Sequence, residues 1–157
     1  MVQNSHGYTH AVTLTLLPYR SYLNSRGQAL VKLTDAEAKK SFAFFLKRLN
    51  GTLFGNTYKR YGKQLSVIPV LEGQATHKLL HYHCAFGNVP DGMSVEVFRS
   101  HVRAAWLKTP FGNEQIDVKT ISSADWFAYM GKEIGLKHAD VLDWENVVIP
   151  SAPTLLT

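Results

Sequence analysis

The chain has 157 residues, 45% of them hydrophobic and 18% charged, the make-up of one globular domain able to bury a core without disulfides or a structural metal. No apolar run approaches the ~18 residues of a spanning helix, and no basic stretch leads into an apolar segment with a small-residue cleavage site, so neither a membrane span nor a secretory signal is expected. Cys84 is the only cysteine, which leaves no internal disulfide and points to a buried thiol in a cytoplasmic protein, while the net charge of +5 favours polyanionic partners.

From His10 to Leu16, Val12, Leu14 and Leu16 alternate with Ala11, Thr13 and Thr15, the period of a half-buried strand with an apolar face and a threonine face. Thr34-Asp35-Ala36-Glu37 reads as a capping box, followed by Phe42, Phe45, Leu46 and Leu49 at helical spacing, with Asn50-Gly51 as the stop. Tyr58-Lys59-Arg60-Tyr61-Gly62-Lys63 interleaves cations with aromatics, either a loop that grips phosphates and stacks bases or a solvated turn. Leu65 to Glu72 reads as a second strand, at an edge or a bulge because Pro69 donates no ladder hydrogen bond.

Gly73 to Lys78 is then a turn, and Leu79 to Phe86 alternates again, with Leu80, Tyr82, Cys84 and Phe86 on one face and His81, His83 and Ala85 on the other. Ser94 caps a second helix carrying Val97, Phe98, Val102, Ala105 and Trp106, which ends before Pro110 and Gly112. Gln115 to Ile121 forms a short fourth strand, and Ser122 or Ser123 caps a third helix with Phe127, Met130 and Ile134 as its buried stripe and Tyr129 opposite. This order, β-α-β-β-α-β plus a helix, predicts an α+β, ferredoxin-like split β-α-β fold: a central antiparallel sheet with helices on one face and the active site on the other. Residues 1–137 form the expected catalytic domain, and 138–157, with Pro150 and Pro153, an extension or linker.

The chemistry starts at His81-Tyr82-His83, whose two imidazoles share one side of a strand roughly 7 Å apart at ~3.3–3.4 Å per residue. Such a pair alone is also common among ordinary strand residues. Glu72, nine residues earlier in the preceding strand, completes a two-histidine, one-carboxylate set if a hairpin returns it beside the pair. Such a set suits a divalent ion with open positions, Mn²⁺ or Mg²⁺ ahead of structural zinc. On the third helix Tyr129 and Lys132 share a face with Asp125 and Glu133, polar company that argues against burial of the phenol. A tyrosine with a pKa near ~10 needs activation to act as a nucleophile, which a metal-polarised phosphate and a nearby lysine supply.

Together these residues resemble an HUH endonuclease of the replication-initiator branch with a single catalytic tyrosine. The first motif resembles Ala11-Val12-Thr13-Leu14-Thr15-Leu16, the histidine–hydrophobe–histidine motif matches His81-Tyr82-His83 with a tyrosine in the middle place, and the Y-x-x-K motif matches Tyr129 to Lys132. The resemblance implies a site-specific single-stranded DNA nickase and strand-transferase that initiates rolling-circle replication through a 5′-phosphotyrosine. It implies Tyr129 and Lys132 as catalytic residues and Glu72, His81 and His83 as metal ligands. Thr13, Thr15, Lys59, Arg60 and Lys63 are candidate DNA contacts. Single-stranded or hairpin origin DNA is the expected partner, with a host helicase and polymerase, since the chain has no P-loop. The alternatives are a single-tyrosine transposase, which usually has glutamine where Lys132 stands, a relaxase, which carries a third histidine, and a non-catalytic ferredoxin-like nucleic-acid binding module.

Overall fold

In the computed structural model, residues 7–73, 80–122 and 142–149 are described. The alternating first segment forms β1 (Tyr8–Leu16), which buries Val12, Leu14 and Leu16 and leaves Thr13 and Thr15 half-exposed on its other side. A hairpin follows, β2 (Tyr19–Asn24) and β3 (Gly27–Lys32), and then two helices, α1 (Asp35–Phe54) and α2 (Asn56–Tyr61). The chain continues through β4 (Ser66–Glu72), β5 (His81–Gly87), α3 (Val95–Trp106) and β6 (Gly112–Thr120).

Four strands make one sheet in the order β4-β5-β1-β6, with the paired neighbours antiparallel. α1 crosses from β1 to β4 and α3 from β5 to β6, and each crossover skips one intervening strand, which is the ferredoxin-like split arrangement. α1 and α3 pack on one face, where Phe42, Phe45, Leu49, Phe98, Val102 and Trp106 meet Val12, Leu14, Leu71, Tyr82, Cys84 and Phe86. Edge-on rings join the two helices, Phe45 to Trp106 at 5.4 Å between centroids, and the Trp106 indole ties helix to sheet by donating to the Thr15 carbonyl at 2.8 Å. Cys84 is buried in this core, as its place on the apolar side of the strand requires.

Several local expectations are corrected. The helix does not stop at Asn50-Gly51: α1 runs on to Phe54 and is capped at Gly55, whose φ of 55° and ψ of −127° only glycine adopts readily. Asn50 is no terminator because its buried Oδ1 accepts the Leu65 amide at 2.8 Å. Lys59 and Arg60 lie on helix α2 and not in a loop, with Lys63 just beyond its left-handed cap, Gly62. Val97 is 47% exposed, because the buried stripe of α3 is Phe98, Val102, Ala105 and Trp106, and a step of one residue turns a side chain by about 100°. The expected third helix, most of the turn after Gly73, Tyr129 and Lys132 lie outside the described residues.

Pro69 does occupy an edge strand of the sheet, and part of the expected extension closes that edge. Val67 and Val148 exchange backbone hydrogen bonds at 2.9 and 3.0 Å, and the Asp143 amide donates to the Pro69 carbonyl at 3.0 Å. Fully buried Asp143 then accepts from the Tyr82 hydroxyl at 2.8 Å and from Asn146 Nδ2 at 2.6 Å, tying residues 142–149 to the start of β5.

Candidate metal centre

Register places the ligands. Glu72, the last residue of β4, pairs with His81, the first of β5, and Val70 pairs with His83. On the other flank of β5, Thr15 pairs with His81 and Thr13 with His83. Directly paired residues point to the same side of a sheet, so Glu72, His81, His83, Thr13 and Thr15 all belong to the face opposite the helices. The apolar partners of the alternation, Leu71, Tyr82, Val12 and Leu14, are sunk in the core, and that burial fixes which way the histidines face.

Glu72 Oε2 lies 3.2 Å from His81 Nε2 and 3.4 Å from His83 Nε2. One ligand atom from each residue falls within 4.8 Å of the others, and this trio is a cluster able to hold a metal ion. Atoms bound at ~2.1–2.2 Å to one ion are separated by about 3.0–3.1 Å at right angles and about 3.4–3.6 Å in a tetrahedron, so these spacings suit a shared cation. The imidazole rings stand perpendicular, at 88° with centroids 4.8 Å apart, which lets both Nε2 atoms converge without stacking. Side-chain exposure of 23%, 24% and 10% for His81, His83 and Glu72 keeps the carboxylate recessed and the imidazoles accessible from solvent.

Behind His83, its Nδ1 lies 3.2 Å from Thr13 Oγ1. With a cation on Nε2, the remaining ring proton sits on Nδ1 and is donated to Thr13, which fixes both tautomer and ring direction. Thr13 thus has a role that the sequence reading missed, because a cross-strand register is not visible in one segment. Thr15 Oγ1 instead donates to the Gln115 carbonyl at 2.7 Å and ties β1 to β6.

The cations Lys59, Arg60 and Lys63 are not brought to this centre. They precede Ser66, which pairs with Gly87 at the other end of β4 and β5, roughly 20 Å from Glu72 along the strand at ~3.3 Å per residue. Lys63 Nζ lies over the Phe54 ring at 5.6 Å. Tyr82 is excluded from the open face as well: burial first, and then the charge of Asp143, push its phenol well above the ordinary range, so it stays a protonated donor. Among the described residues, no helix is long and apolar enough to cross a membrane.

Comparison with protein-family models, with curated proteins and with solved structures gives no match. The assignment of function therefore rests on the residues themselves.

Proposed function

We propose that this protein is a metal-dependent, single-tyrosine DNA nickase and strand-transferase of the HUH type that initiates rolling-circle replication. The observation that carries the reading is the convergence of Glu72, His81 and His83 on the helix-free face of a ferredoxin-like sheet, with Thr13 behind His83. A carboxylate with two imidazoles, presented on an open face, fits an ion that also takes phosphate oxygens, and Mn²⁺ or Mg²⁺ is the proposed metal. Such an ion withdraws charge from a phosphodiester and makes phosphorus more electrophilic.

In this reading Glu72, His81 and His83 hold the ion, Thr13 aims His83, and Tyr129 supplies the nucleophile. Its phenolic oxygen bonds to phosphorus as the bond from phosphorus to the 3′-oxygen breaks. The phenol gives up its proton, the departing oxygen gains one and ends as a 3′-hydroxyl, and the 5′-phosphate stays on the tyrosine. Lys132, three residues after Tyr129 in the sequence, compensates charge that grows on the reacting oxygens, a contribution worth about 10²-fold in rate. The bond energy is conserved, so a 3′-hydroxyl can reverse the step and rejoin the strand.

The test is covalent capture on single-stranded oligonucleotides tiled from both strands of the DNA flanking the gene, with Mn²⁺ or Mg²⁺ present. A denaturing gel should show a protein–DNA adduct that disappears in Tyr129→Phe and in the double substitution His81→Ala, His83→Ala, and that chelator prevents. An adduct that survives Tyr129→Phe would assign the nucleophile elsewhere. Absence of an adduct on every strand would leave a nucleic-acid binding module as the better account.

A further inference from the structure

The β2–β3 hairpin has no place in the function proposed above, yet its surface is unusual. All six residues of β2 are exposed, including Tyr19 at 53%, Tyr22 at 43% and Leu23 at 80%, and on β3 Leu30 is 72% exposed. Chains seldom leave this much apolar surface on a projecting ribbon without a partner for it. Residues 17–33 also contain Arg20, Arg26 and Lys32 and no carboxylate.

The ribbon is rooted at the metal-bearing end of the sheet. Thr15, opposite His81, is followed within four residues by the first residue of β2, and the root is closed by the Leu33 amide donating to the Pro18 carbonyl at 2.8 Å. Six residues of strand reach roughly 20 Å at ~3.3 Å each. Whatever polymer crosses Glu72, His81 and His83 therefore continues within reach of this arm.

We infer that the β2–β3 ribbon docks in the major groove of a DNA duplex adjoining the metal centre. The pairing of Tyr19 with Lys32, Ser21 with Leu30 and Leu23 with Gln28 puts these six on one face, while Arg20 and Tyr22 share the other with Val31 and Ala29. Tyr19 and Tyr22 thus point in opposite directions and form no common platform for successive unstacked bases, which argues against a single strand. Leu23 and Leu30 do not stack on bases but can meet thymine methyl groups on a groove floor. Arg20 on the β2 edge of the ribbon, Lys32 on the β3 edge and Arg26 at the tip suit the phosphates that border a groove on both sides, and a two-stranded ribbon fits the ~12 Å major groove of B-form DNA. A second copy of the chain is disfavoured, because pairing two such ribbons would bring the same cations together without a counter-charge.

The experiment is fluorescence anisotropy with the full chain and no added metal, using a labelled DNA duplex of about two helical turns and its single strand, across a range of salt concentrations. The triple substitution Arg20→Gln, Arg26→Gln, Lys32→Gln should weaken duplex binding about 10-fold and lower the salt slope by about 2–3, at ~0.9 per phosphate contact. The double substitution Leu23→Ser, Leu30→Ser should weaken duplex binding several-fold with the slope retained. Both should keep single-strand affinity and Mn²⁺ uptake, which also shows that the domain stays folded. Unchanged duplex affinity and slope, or an equal loss on the single strand, would overturn the inference. So would a wild-type dimer that Leu23→Ser, Leu30→Ser converts to a monomer in sedimentation, since the face would then join copies. The inference rests on the nickase reading only for where the duplex lies relative to the nick: duplex binding through the ribbon with no adduct on any strand would refute that reading and leave this one standing.

Discussion

An imidazole binds an ion well only when its ring is aimed, and for His83 the aiming falls to the Thr13 hydroxyl, 3.2 Å from Nδ1. Thr13→Val keeps the branched shape in β1 but removes that acceptor, and the loss of such an outer partner typically weakens metal binding about 10–100-fold. Calorimetric titration with Mn²⁺ checks this, and an affinity equal to the wild type would show that packing alone orients the ring. His10, on the helix side of the same strand, behaves differently. It is buried edge-on against Phe98 at 4.9 Å, and burial holds its pKa below the ordinary 6.5. As pH falls through 6.5 the unfolded chain takes up a proton that the folded chain resists, so the stability tied to this group is fully present above 6.5 and drains away as pH falls toward the folded pKa. Denaturant unfolding of the wild type and of His10→Phe over about pH 8 to 5 should therefore show the wild type losing stability relative to the variant, and only in the acid half. Parallel curves throughout would mean that His10 titrates alike in both states.

At the scale of elements, what could be read from the sequence was whatever buries one side. The alternation in β1 and β5 is imposed by Val12, Leu14, Tyr82 and Phe86, so it fixed the direction of Thr13, His81 and His83 before any register was known, whereas β4, buried at most of its positions, left the placing of Glu72 to the pairing with His81. The Thr34 cap was equally plain, its Oγ1 accepting the Glu37 amide at 3.2 Å. The β2–β3 hairpin was not legible, because a ribbon exposed on most of its positions carries no apolar period. Nor was the segment 142–149, which is held by isolated backbone pairs and the Asp143 carboxylate and not by a stripe. That anchor is testable. Tyr82→Phe leaves Asp143 buried without its hydroxyl donor, a loss expected to cost about 1–3 kcal/mol. In a double-mutant cycle with Asp143→Ala the two losses should be far from additive, since both delete the Tyr82–Asp143 contact. Additive losses would show that 142–149 stays docked through its backbone pairs to Val67 and Pro69 alone.

The whole molecule separates core from candidate site: aromatic and aliphatic side chains between helices and sheet make the core, while Glu72, His81 and His83, the cluster able to hold a metal ion, sit on the opposite face. An ion there should stabilise the fold without being needed for it, in contrast to a structural metal site, whose removal unfolds the chain. Glu72 comes from β4 and both histidines from β5, so a bound ion joins two strands that the unfolded chain leaves apart. Binding only to the folded state, at a concentration 100 times its Kd, contributes about 2.7 kcal/mol. For a domain of this length that is a rise in Tm of roughly 5–10 °C, at ~2–4 °C per kcal/mol. Thermal unfolding followed by circular dichroism should show this rise with added Mn²⁺, and the metal-free protein should still melt in one cooperative step. Glu72→Gln should melt near the metal-free wild type and gain little from Mn²⁺, because the neutral amide cannot balance the ion's charge. If chelator abolished the cooperative transition, the cluster would be part of the fold's foundation. If Glu72→Gln gained as much from Mn²⁺ as the wild type, the ion would be binding elsewhere.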